Sequence, residues 1–137
     1  MKLENQVTSL EPSRYLQKLG VKQESQYYWC NFGKDDWRGP YVVDGIPEED
    51  GERWLRYPDG GQHTFRKNFD CMDTASAFTV AELDEILSKY GEYHVSEYKG
   101  EIAVQIVGKG EIYHKGNRAD ARAKMLGYLI ENNLITL

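Results

Sequence analysis

Five side chains in this sequence have the chemistry of metal binding or covalent catalysis: Cys30, His63, Cys71, His94 and His114. A zinc site needs several such ligands converging on one point, and in sequence this usually shows as short, regular spacings. Here the spacings are wide and match no compact zinc pattern, so no metal ligand is assigned. His94 and His114 fall near the ends of two segments with strand periodicity, and would meet only if register and face agreed. Nucleophilic catalysis needs a thiol or hydroxyl beside a base and an oxyanion pocket. Cys71 sits between Asp70 and Met72-Asp73, and two neighbouring carboxylates disfavour a thiolate. No Gly-x-Ser-x-Gly run is present. Gly108-x-Gly110 lacks the further glycine and the following helix of a nucleotide loop, and reads as a turn between strands. With 22 acidic residues, choosing a carboxylate pair for glycosidic chemistry is arbitrary. The acidic stretch Asp44, Glu48, Glu49, Asp50 and Glu52 lacks the ligand alternation of a calcium loop, and reads as solvated loop. The expectation is therefore no catalytic residue, no cofactor and no metal.

Binding is the chemistry that the composition favours. The segment from Tyr27 to Phe78 holds most of the aromatic residues. Tyr27, Trp29, Trp37, Tyr41, Trp54 and Tyr57 are candidates for an interaction surface, because such side chains combine large area with a polar handle. The competing reading places them in the core and its covering loop. Lys34, Arg38, Arg53, Arg56, Arg66 and Lys67 interleave with them, a pattern that suits single-stranded nucleic acid. Asp35, Asp36 and the acids of 44–52 run through the same region, however, and the chain carries a formal net charge of −5. Nucleic acid is thus the disfavoured partner. A protein partner or a homodimer fits better, and a small ligand stays open.

The elements that must position these groups follow from caps and periodicity. Thr8 followed by Glu11 predicts a capping box and a helix over 9–19, with Pro12 in the first turn and Gly20 as its stop. The aromatic run Gln26–Phe32 predicts a strand, with Tyr28, Cys30 and Phe32 on one face and Tyr27 and Trp29 on the other. Residues 33–77 are broken by glycine and proline. Short strands are expected at Tyr41–Val43 and Trp54–Tyr57, and Pro58–Gly61 reads as a turn. Thr79 and Glu82 form a second capping box. Phe78 and Leu83 form a hydrophobic staple, and a helix over 80–90 ends at Gly91. Period-two alternation over 92–98, 101–107 and 111–114 predicts a three-strand meander. A last helix over 118–131 is capped by Asn117. Its apolar face is expected at Ala119, Ala123, Leu126, Leu129 and Ile130, with Ala121, Arg122 and Lys124 largely off it.

This order predicts an α+β fold: an antiparallel sheet with a C-terminal three-strand meander, packed by about three helices, with an α-β-α layered sandwich as the variant. Residues 1–137 read as a single domain, since 137 residues and a 40% hydrophobic fraction suffice for one core. No stretch approaches a membrane span, and the N-terminus has no apolar signal-peptide core. A cytoplasmic location with two free thiols is expected.

Three stretches resemble small hypothetical proteins encoded by prophages and mobile elements of gut bacteria. They are LEPSRYLQKLGVKQESQYYW (Leu10 to Trp29), SAFTVAELDEIL (Ser76 to Leu87) and DARAKMLGYLIENNL (Asp120 to Leu134). Their motifs are helix caps and helix faces and mark no chemistry. The resemblance implies a phage-related accessory role and carries over no site residue. The alternatives are a small enzyme with an unrecognised site and a regulatory nucleic-acid binder.

Overall fold

Residues 3–44, 54–56, 64–66 and 72–137 are described by the structure, a computed structural model. The capping box at Thr79 forms as its sequence requires. Thr79 accepts the backbone N–H of Glu82 at 3.1 Å, and the Glu82 carboxylate accepts the N–H of Thr79 at 2.8 Å. The helix it starts, α2 (Val80–Leu87), continues as a 3-10 turn, Ser88–Tyr90. Asn117 likewise caps α3 (Arg118–Glu131), accepting from the N–H groups of Ala119 and Asp120. Between them lie β6 (Tyr93–Tyr98), β7 (Glu101–Ile106) and β8 (Gly110–Lys115), paired antiparallel in the order β6-β7-β8. This is the expected meander.

The N-terminal part holds α1 (Leu10–Lys18), β1 (Tyr27–Asn31), β2 (Trp37–Asp44), β3 (Trp54–Arg56), β4 (Thr64–Arg66) and β5 (Asp73–Ser76). Its five strands form a second antiparallel sheet in the order β4-β3-β2-β1-β5. The fold is thus α+β. The expected turn at 58–61 lies outside the described residues.

The first helix departs from its expected cap. Ser9, not Thr8, is the N-cap of α1, and its side chain makes no cap bond to the helix. Thr8 is fully buried. Its hydroxyl accepts the N–H of Phe78 at 2.9 Å and bonds the Ser13 hydroxyl at 2.6 Å. Ser9 gives its N–H and its hydroxyl to the two oxygens of Asp120, at 2.7 and 2.5 Å. Distant partners outcompete the local box, because a buried backbone donor left unmet is costly and Thr8 is the acceptor in reach of Phe78.

One large core holds Leu16 of α1, Phe78, Leu83 and Leu87 of α2, Ile102, Val104 and Ile106 of β7, and most of α3. Helix α3 packs on α1, α2, β7 and β8, so burial extends well round it. Ala121 is fully buried, and Arg122 is only 7% exposed, contrary to their expected place off the apolar face. The Arg122 charge is met by Asp84 of α2 at 2.6 Å, and Asp84 also accepts the Tyr93 hydroxyl at 2.5 Å. The α-β-α variant does not describe the meander. The three described helices all contribute to the core under its inner face, and its outer face is solvent-exposed at His94, Ser96, Tyr98, Glu101, Glu111, Tyr113 and Lys115.

Two tyrosines couple this packing to pH. Burial, followed by a hydrogen bond and repulsion from Glu131, pushes the Tyr15 hydroxyl from 10.0 up to about 12. Burial and the bond to Asp84 push Tyr93 upward as well. Well below pH 10.0 both residues are protonated, folded or unfolded, and cost nothing. As pH rises above that value the unfolded chain releases these protons and the folded chain does not, so stability falls until the folded groups titrate. The urea midpoint is expected to drop between about pH 9.5 and about pH 11.5, and Tyr93→Phe should shrink the drop. An equal drop in that variant would assign the effect elsewhere.

Candidate binding surface

Strand β1 alternates as its sequence indicates. Tyr28 and Cys30 are buried, whereas Tyr27, Trp29 and Asn31 are half-buried. The buried pair forms a second, small core with Tyr41 and the partly buried Phe32. Register against β2 slips between Tyr28 and Cys30, opposite Gly39 and the cis Gly39–Pro40 bond. Gly39 has φ +139, and a Cβ there would press on the Tyr28 carbonyl and the Tyr41 nitrogen. The slip pairs Trp37 with Asn31, so both project to the same side of the sheet as Trp29.

Helix α1 meets that side. The Trp29 indole N–H donates to the Thr8 carbonyl at 3.0 Å. The Arg14 guanidinium lies over the Trp37 ring, 4.9 Å from its centroid. Nε of Arg14 and Nε1 of Trp37 are both buried, and neither has a hydrogen-bond partner. Beside this pair the chain turns through Gly33–Asp36, with Lys34 and Asp35 at positive φ. Arg38 clasps Asp36 through two bonds of 3.2 and 3.0 Å. The neighbourhood is thus mixed in sign, with a stacked Arg–Trp pair at its centre.

The six aromatic candidates separate. Trp29 and Trp37 share the side that faces α1. Tyr27 opens instead onto a groove of about 480 Å³ with Leu3, Val7, Val80 and Arg118. Tyr41 is 3% exposed and belongs to the core, because the register pairs it with buried Tyr28. Trp54 lies in β3, its backbone opposite Asp44 and Arg66. Tyr57 lies outside the described residues, as do His63 and Cys71. Arg14 was not among the candidates, and its neighbours in sequence carry no signal that it stacks on an aromatic ring.

The titratable candidates do not converge. Cross-strand partners share a face. His94 pairs with Gln105 on the outer face, and His114 pairs with Ile102 on the inner face at the other end of the meander. Among the described residues, no three His, Cys, Asp or Glu side chains cluster closely enough to hold a metal ion. Cys30 is buried in the small core beside Tyr28 and Tyr41. A larger open groove, of about 720 Å³, runs between residues 20–25 and α2, floored by Val21, Phe78, Ile86 and Tyr90. Glu82 on its wall is already committed to Thr79 and Ser25. Arg118 and Arg122 are likewise held by Glu97 and Asp84. No described helix is long and apolar enough to cross a membrane. Comparison with protein families, with curated proteins and with solved structures finds no match to this chain.

Proposed function

We propose that this chain is a phage-related accessory protein that acts by binding a protein partner, through the surface centred on Trp37 and Arg14. The observation that carries the reading is the pair of N–H donors left without acceptors where the two side chains stack. A buried donor without a partner costs about 1–3 kcal/mol, and native structures hold few of them. Both nitrogens are closed off from the surface, so a partner that supplied carbonyl or carboxylate oxygens would relieve that cost only by displacing the groups that cover them. Trp and Arg are also the residue types that dominate binding energy at protein interfaces. Both side chains are half-buried, so each combines a fixed position with an accessible edge.

The test compares capture by the wild-type protein with capture by Trp37→Ala and Arg14→Ala, using bacterial lysate and quantitative mass spectrometry. A partner held by the wild-type protein should be lost from both variants, with affinity falling at least about tenfold for Trp37→Ala. Far-UV circular dichroism should be unchanged. Variants that retain the same partner at the same affinity would sink this surface as the binding site.

A further inference from the structure

The outer face of the meander is arranged as a grid whose two-fold pairing is self-complementary. Its rows, read across β6, β7 and β8, are Tyr98-Glu101-Lys115, Ser96-Ala103-Tyr113 and His94-Gln105-Glu111. No described helix covers them: Tyr98 is 74% exposed and Tyr113 is 54% exposed. The centre is Ala103, small enough to let another sheet approach closely.

We propose that this face associates with the same face of a second copy of the chain, about a two-fold axis that lies in the interface and runs along the middle row. That axis sets each strand over its own copy, running the opposite way. Lys115 then meets Glu111 of the second copy, and Glu111 meets its Lys115, which gives two ion pairs at one edge. Tyr98 meets His94 at the other edge. Glu101 faces Gln105, Tyr113 faces Tyr113, and Ala103 faces Ala103.

The charge pattern selects this axis. The other in-plane axis, along β7, would set Glu101 against its own copy and leave Lys115 facing Tyr98. Like charges placed opposite one another are penalised, and that arrangement forfeits both ion pairs. Stacked sheets pack about 30° apart. Across a face of this width such a rotation moves the corner contacts by about 4 Å, which Lys and Glu side chains span. The face measures about 14 Å by about 20 Å, from strand spacing and rise. This is below the ~800 Å² per partner of standard interfaces, so the association is a weak one, governed by concentration. It uses a different surface from Trp37 and does not rest on that reading.

Sedimentation velocity over a concentration series up to about 1 mM tests it, with circular dichroism as the control for folding. The wild-type protein is expected to shift from monomer to dimer along the series. Ala103→Arg, which sets two guanidinium groups face to face, should raise the dissociation constant at least about tenfold. Glu111→Lys alone should weaken the dimer by juxtaposing lysines. The double variant Glu111→Lys/Lys115→Glu should restore it, because the pair is exchanged with its symmetry mate. A wild-type monomer throughout the series would overturn the proposal and leave the face to a different protein. A dimer indifferent to Ala103→Arg, or a double variant weaker than Glu111→Lys, would overturn it too.

Discussion

Replacing Asp120 by alanine is expected to lower the unfolding free energy by about 3 kcal/mol. Asp120 is 8% exposed and accepts two bonds from Ser9, from the backbone N–H at 2.7 Å and from the hydroxyl at 2.5 Å. Hydrogen bonds to charged groups contribute about 1.5–3 kcal/mol each, and deletion also strands the Ser9 donors at the start of α1. The neighbours raise the stakes. Asn117, at the N-cap of α3, donates to the Val7 carbonyl at 2.8 Å, and Trp29 donates to the Thr8 carbonyl at 3.0 Å. Residues 7–9 thus tie α3, β1 and the start of α2 together, and releasing Ser9 loosens all three. Asp120→Asn keeps one acceptor and should lose about half as much. Urea unfolding, with the slope held constant, measures both. A loss below about 1 kcal/mol for the alanine variant would show that water serves Ser9 equally well.

Gly127→Ala should destabilise by about 2 kcal/mol, although the same change in an exposed helix stabilises by about 1 kcal/mol. Gly127 lies inside α3 and is buried, and the Tyr15 ring of α1 occupies the place its side chain would take. A Cβ there would overlap the ring carbons and crowd the hydroxyl oxygen at 2.7 Å. Tyr15 packs against the main core, so moving its ring aside would sacrifice those contacts. Overpacking of this kind typically costs 1–3 kcal/mol. The decisive result is a change of sign. In a Tyr15→Ala background the space is vacant, so Gly127→Ala should become stabilising through helix propensity alone. Two singles and the double variant close the cycle. Additive values would show that Tyr15 moves aside freely.

The pairing of Tyr15 with Gly127 illustrates what a sequence conceals. The glycine reads as a mild blemish in a helix, and the tyrosine as one more apolar neighbour. Only the approach of α1 to α3 makes each a condition of the other. The candidate site behaves in the same way. Trp37 stood out by residue type, but Arg14 did not, because a cation over an aromatic ring has no spacing rule when it joins a helix to a strand. Tyr41 had the same credentials as Trp37 for a surface role. The register slip at Gly39 turns it inward instead, against Tyr28. The two meander histidines were each visible, whereas their separation to opposite faces needed the pairing register.

What the sequence determined by itself is structure whose partners lie within a few residues and face no buried competitor. The Thr79–Glu82 box, the Asn117 cap and the period-two run of β6–β8 are local, so the same backbone geometry satisfies them in any context. The tertiary structure decided the rest. Thr8 has a box partner three residues on, yet it serves the Phe78 N–H, seventy positions away. Ser9 turns to Asp120, at a separation of 111. The physical reason is burial. A solvated Thr8 would take its nearest donor, but inside the core an unmet Phe78 N–H costs more than a missing cap, and the chain satisfies the buried group first.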